Sequence, residues 1–128
     1  MQEPTTLGAQ FAHALAAKEF DQILNLMHPD IDFRALTPNR SWKAGEPAAV
    51  ISGVLREWFE DKDEIQALVQ LESDAFADRE RVGYRFSVRN PDGSFLVEQQ
   101  AFLGARDGRI AWMRVLCSGY RPVSDAST

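Results

Sequence analysis

Residues 82–102 read VGYRFSVRNPDGSFLVEQQAF. Val82, Tyr84, Phe86 and Val88 alternate with Gly83, Arg85 and Ser87, the period of two expected of a strand with one buried face. AsnProAspGly at 90–93 is a turn signal, and LeuValGluGlnGlnAlaPhe at 96–102 continues as the returning strand. A three-residue turn with a bulge at Gly93 pairs Asn90 with Ser94. That register sets Phe86 opposite Glu98, Tyr84 opposite Gln100 and Val82 opposite Phe102. With the Val82–Val88 face inward, Glu98, Gln100 and Phe102 are expected to point inside and Gln99 to point out.

Outward from this hairpin, the period of two runs from about residue 64 to 117, with further turns at Asp78–Arg81 and at Asp107–Gly108. Four strands in a meander follow from these breaks. The chain before them is helical in pattern. Leu7, Phe11, Ala14 and Leu15 share one helix face after Pro4, which suits a helix start. Phe20, Ile23, Leu24 and Met27 repeat the spacing until HisProAsp at 28–30 stops it. A short strand at 31–36, a loop holding Pro38, Asn39 and Gly45, and a third helix from Pro47 complete the plan. Val50, Ile51, Val54, Leu55, Trp58 and Phe59 form the third helix's wide apolar face. The class is α+β, three N-terminal helices packed on a curved antiparallel sheet. A single domain over 1–122 and a polar tail over 123–128 are expected.

The chain has 128 residues, and 45% hydrophobic content supports a packed core. A formal charge of −5, with arginines scattered along strands, disfavours nucleic acid as a partner. Cys117 is the sole cysteine, and with only His13 and His28 beside it no zinc-type spacing exists, so no metal is expected. The N-terminus lacks a signal-peptide plan and no stretch approaches ~20 apolar residues, so no membrane partner and a cytoplasmic location are expected. No glycine-rich phosphate loop and no Ser-His-Asp set can be assembled, and no cofactor is implied.

The element order, with the closing strand GlyArgIleAlaTrpMetArgValLeuCys at 108–117, resembles the nuclear transport factor 2-like superfamily, its SnoaL-like and ketosteroid isomerase-like branches above all. The resemblance covers about residues 5–117 and implies a cystatin-like roll, a cone of helices and curved sheet around an apolar pocket. It also implies which isomerase roles are lost. The helix-one tyrosine falls on Phe11, the general-base aspartate on Ala35 and the second acid on Gln100. The acid that SnoaL-like cyclases often carry at the end of the last strand falls near Ser118. The same comparison turns Met113, Val115 and Cys117 inward and leaves Trp112, Arg114 and Leu116 outside.

Glu98 among Phe86, Phe102 and Met113 would be desolvated and its pKa raised toward values useful for proton transfer, or else it sits in a salt bridge or at a wet mouth. Gln100 and Tyr84 are either donors to a ligand carbonyl or a mutually satisfied pair. His28 is a base at the pocket mouth or a helix-end cap, and Cys117 reads as inert core. Phe11, Phe33, Trp58, Phe86, Phe102, Met113, Val115 and Cys117 are the expected ligand-facing set. Outside, Phe95, Val97, Leu103, Trp112 and Leu116 with Arg85 and Arg114 predict a homodimer interface. Two functions remain open on the sequence. One is a cofactor-free isomerase, cyclase or dehydratase acting on a small apolar carbonyl or polyketide-like compound through Glu98. The other is a non-catalytic dimer that binds a small apolar molecule.

Overall fold

The computed structural model describes residues 6–123. The first helix, α1 (Leu7–Ala16), is capped by Thr6, whose hydroxyl accepts from the Ala9 amide at 3.1 Å; Pro4 lies outside the described residues. Phe11, Ala14 and Leu15 are buried, as the spacing requires. A second partner fixes the start of α1. Glu80 accepts the Gly8 amide at 2.9 Å, which puts a carboxylate at the positive end of the helix. Gly8 is needed there, since a Cβ would come within 2.8 Å of the Val82 side chain.

After α2 (Phe20–Leu26) the chain turns directly into β1 (Met27–Thr37), so the strand expected at 31–36 starts four residues earlier and contains Pro29. The stretch expected to be a loop after it holds β2 (Arg40–Ala44), which returns antiparallel on β1 through Pro38 and Asn39. Asn39 adopts φ 72°, a value short polar residues tolerate in tight hairpins. The third helix comes in three pieces, α3 (Pro47–Val50), a π-helical turn (Ile51–Leu55) and α4 (Arg56–Trp58). Its expected apolar face, Val50 to Phe59, is buried throughout.

The meander consists of β3 (Glu64–Phe76), β4 (Arg79–Asn90), β5 (Gly93–Arg106) and β6 (Arg109–Cys117), with a two-residue β7 (Arg121–Pro122) on β5. The sheet order is β2-β1-β6-β5-β4-β3, antiparallel except for β1 beside β6. That parallel pair closes the roll: the first strand docks on the last of the meander, with Phe33 beside Met113 and Ala35 beside Val115. The helices cover the inner face, and one cluster of buried side chains, from Phe11 and Leu15 to Phe86, Ile110 and Met113, fills the space between. No helix among the described residues is long and apolar enough to cross a membrane.

Candidate functional site

The hairpin at 90–93 decides which side chains enter the cone. Asn90 pairs with Gly93, not with Ser94, so the loop has two residues, Pro91 and Asp92. The Asn90 side chain holds it: Oδ1 accepts from the Asp92 amide at 2.8 Å, and Nδ2 donates to Asp63 at 2.9 Å. This closes the loop on itself, with Gly93 at φ 134° as the first ladder residue. The pairing therefore slips by one residue from the expected register, and a slip of one inverts a whole strand. Tyr84 faces Gln99, Phe86 faces Val97 and Val82 faces Ala101.

Glu98, Gln100 and Phe102 consequently lie on the outer face, and the expectation that they enter the pocket is corrected. Arg85 grips Glu98 Oε1 through Nη2 at 2.6 Å and Nε at 3.0 Å, while Gln100 Nε2 donates to Oε2 at 3.0 Å. Arg85 first, and then Gln100, hold the Glu98 carboxyl below the ordinary glutamate range, the reverse of the rise that desolvation would cause. Gln100 accepts in turn from Arg81 at 3.1 Å and lies flat over Gly83, where a Cβ would sit 2.7 Å from its amide. Phe102 is 38% exposed and meets the Phe76 ring, centroids 6.1 Å apart. The outward set also changes, because Val97 and Leu103 are buried inside, Phe95 shares their face opposite Val88, and only Trp112, Leu116, Arg85 and Arg114 stay outside.

Gln99 takes the place inside. It has no exposed surface, and the Tyr84 hydroxyl donates to its Oε1 at 2.6 Å. Among the described residues its Nε2 has no partner, nor has the buried indole Nε1 of Trp58. A buried donor left unpaired costs about 1–3 kcal/mol, so two of them in one interior call for a reason. Burial, and next the neighbouring Cys117, push the Tyr84 hydroxyl well above the ordinary tyrosine range, so it stays protonated at neutral pH.

Cys117 stands opposite Gln99 in the β5–β6 register and is half-buried. Tyr120, just past β6, donates to the Trp58 carbonyl at 2.8 Å and packs on Phe59. Burial first, then the charge of Asp63, raise its hydroxyl far above the ordinary value. Trp58 leans on Phe33 and, edge-on, on Trp42, with ring centroids 6.3 and 6.0 Å away. Above Trp58, Phe95 and Tyr120 opens a hollow of about 360 Å³, rimmed by Glu57, Glu60, Lys62, Asp63 and Asp92. Of the interior row next to Gln99, Ala35, Ala101 and Val115 are small, and all three are buried.

The remaining expected residues divide. Phe11, Phe33, Phe86, Met113 and Val115 are buried in the interior, and Trp58 joins them at 8% exposure. His28 does not share their neighbourhood. It sits near the start of β1, bonded to Asp107 at 3.3 Å and accepting the Asp30 amide at 3.0 Å, so it neither lines the mouth nor caps a helix. Among the described residues no group of three or more metal-ligating side chains gathers. The sequence reading missed Gln99, Trp42, Tyr120 and Asp63. Gln99 had a signal: Val97, Gln99, Ala101 and Leu103 make a more apolar alternating set than Glu98, Gln100 and Phe102. Asp63 had none, because beyond the nearby Glu60 amide its partner is the Asn90 side chain, which meets it across 27 residues of chain.

No protein-family model and no curated protein matches the sequence. Solved structures do match in shape. A presumed isomerase of Rhodopseudomonas palustris is 18% identical, with a TM-score of 0.72 over 93% of each chain. A presumed polyketide cyclase of Xanthomonas campestris is 19% identical, with a TM-score of 0.68 over 86% of each chain. An NTF2-like protein of Burkholderia xenovorans is 15% identical, with a TM-score of 0.63 over 88% of this chain and 86% of that one.

Proposed function

We propose that this chain, which has the nuclear transport factor 2-like fold, is a binding protein for a small, neutral, apolar molecule that carries a hydrogen-bond acceptor such as a carbonyl. The observation that carries the reading is the pair of buried, unpartnered donors, Gln99 Nε2 and Trp58 Nε1, in an otherwise apolar interior. A carbonyl oxygen supplies what each lacks, and a site built to hydrogen-bond an acceptor rejects a hydrocarbon of the same shape. Trp58 and Tyr120 also line the rimmed hollow, which supports that hollow as the way in. Its rim holds four carboxylates, Glu57, Glu60, Asp63 and Asp92, against one ammonium, Lys62, and so disfavours an anionic ligand.

Binding is preferred to catalysis on the chemistry of the walls. The inward side chains of β1 from Ile31 to Ala35, β4 from Val82 to Val88, β5 from Val97 to Leu103 and β6 from Met113 to Cys117 include no carboxylate and no imidazole. An isomerase, cyclase or dehydratase needs a group that exchanges a proton near neutrality. Glu98, expected to be that group, is tied to Arg85 on the other side of the sheet. Tyr84 can donate a hydrogen bond there but holds its proton too tightly to act as a base.

The test is a melting-shift and calorimetry screen of neutral ketones, lactones and their hydrocarbon counterparts against the wild type, Gln99→Leu and Trp58→Phe. A binder is expected among the carbonyl compounds, weakened roughly tenfold or more by either change, about 1.4 kcal/mol per lost bond. Equal affinity for the matching hydrocarbon, or for the Gln99→Leu protein, contradicts the reading.

A further inference from the structure

The binding reading leaves one reactive group of the inner face, the thiol of Cys117, without a role. Alternation along β6 turns this residue inward, since Met113 and Val115 before it are buried and Leu116 beside it is 59% exposed. The side chain packs against the core, yet it is half-buried and not sealed off as inert core would be. Tyr84, Gln99 and Cys117 form one row across β4, β5 and β6. Directly opposed residues of an antiparallel pair share a face, with Cβ atoms about 4.5–5.5 Å apart. The Tyr84 hydroxyl occupies Oε1 of Gln99 at 2.6 Å, so Nε2 is the free arm of that amide, and among the described residues nothing receives it. A nucleophile and an unused hydrogen-bond donor therefore stand side by side in an apolar wall.

The turn after β6 fixes the sulfur. The Gly119 amide donates to Sγ at 3.4 Å, a bond that strengthens as negative charge gathers on the sulfur. Gly119 reaches that position at φ 77°, and a Cβ there would meet Pro38 at 2.8 Å, so the turn requires glycine. Ser118 ties the same turn to β5, donating its amide to the Glu98 carbonyl at 2.8 Å and accepting the Glu98 amide on Oγ at 2.9 Å. After burial, the charge of Cys117 is the next influence on the Tyr84 hydroxyl, and it acts on that of Tyr120 after burial and Asp63. The sulfur thus lies within electrostatic reach of both tyrosines, and Tyr120 lines the rimmed hollow.

We infer that Cys117 captures α,β-unsaturated ketones and aldehydes as thioethers while Gln99 Nε2 holds the carbonyl oxygen; this rests on the binding reading and narrows its ligand class. Such a compound carries an acceptor oxygen and an electrophilic carbon at the two ends of one short conjugated unit, which matches a donor and a thiol on adjacent strands. The thiol gives its proton to water, and a sulfur lone pair forms the S–C bond at the β-carbon. The electron pair of the C=C bond moves onto the carbonyl oxygen, where the Gln99 amide donates to the enolate as its charge develops. The α-carbon then takes a proton from water. In sum, S–H adds across C=C, with no oxidant, reductant or general base from the walls. Tyr84 acts as a positioning residue, because its hold on Oε1 keeps Nε2 free for the ligand.

Intact-mass spectrometry tests this with the enone benzylideneacetone and its saturated twin benzylacetone, and far-UV circular dichroism shows that each variant is folded. The wild type is expected to gain a single adduct, absent from Cys117→Ser, at least tenfold faster than glutathione reacts at the same pH and concentration. Gln99→Leu is expected to slow that addition at least tenfold while its rate with methyl methanethiolsulfonate, a thiol reagent that has no carbonyl, stays within twofold of the wild type. Benzylacetone is expected to raise the melting temperature of the wild type and of Cys117→Ser alike. A melting shift with benzylacetone, together with an enone that adds no faster than to glutathione or equally fast to Gln99→Leu, overturns the covalent capture and leaves the binding reading standing. No melting shift and no acceleration over glutathione overturns both.

Discussion

Glu98 and Gln99 are neighbours in the chain and occupy opposite sides of one sheet. Outside, Glu98 keeps its charge because Arg85 and Gln100 supply three hydrogen bonds, and its partners remain reachable by water. Inside, Gln99 has one bond from Tyr84 and a donor with nothing to receive it. The difference teaches where chemistry can reside in this fold. A polar group that the protein itself satisfies is spoken for, whereas a buried group that the protein leaves unsatisfied is available to something else.

The largest expected effect lies in the apolar wall that surrounds Gln99. Phe86→Ala is expected to cost about 3–5 kcal/mol in urea unfolding because Phe86 is fully buried, while Phe102→Ala across the sheet is expected to cost under about 1 kcal/mol. Equal losses at the two positions would break the comparison between the faces.

Next in size is the Tyr84–Gln99 pair. Tyr84→Phe strands the Gln99 oxygen as well as its nitrogen and is expected to cost about 1–3 kcal/mol. Gln99→Leu in that background removes both stranded atoms and is expected to return most of the loss, so a double-mutant cycle shows strong coupling. Additive losses would mean that the buried bond is not what joins these two residues.

The smallest effect belongs to the outer ion pairs. The Glu98 carboxyl lies below its ordinary range in the folded protein, so its contribution is present above the unfolded value and is lost as pH falls through the lowered folded one. Asp32, lowered chiefly by Arg114, behaves in the same direction. Since Glu98 is 38% exposed, Glu98→Gln is expected to cost well under about 1 kcal/mol at pH 7 and to flatten the acid limb of the stability curve slightly. An NMR titration that places the Glu98 midpoint above the ordinary glutamate value would move this residue back among the apolar groups.

Much of the scaffold was legible from periodicity. The apolar stripes of α1 and of Val50–Phe59, the β4 face and the inward turn of Met113 and Val115 all stand as the spacing and the family resemblance implied. The class and the resemblance are matched by neighbours with cystatin-like and NTF2-like folds. What could not be read was set at long range or by a single side chain. Asn90 closes on Asp92 in a loop two residues long, and that one-residue difference in loop length reverses every residue of β5. The parallel seam of β1 on β6 and the hairpin to β2 depend on contacts about 80 residues apart or on a tight Pro38–Asn39 turn, and local pattern signals neither. Asp63 and Tyr120 reach the mouth only once the roll has closed.

The exchange rates of the side-chain amide protons of Gln99 and Gln100 test most directly which of the two faces the interior. With Gln99 fully buried and Gln100 on the outer wall, the Gln99 protons are expected to exchange with solvent at least a hundredfold more slowly than those of Gln100. Fast exchange at Gln99 together with protection at Gln100 would contradict that placement.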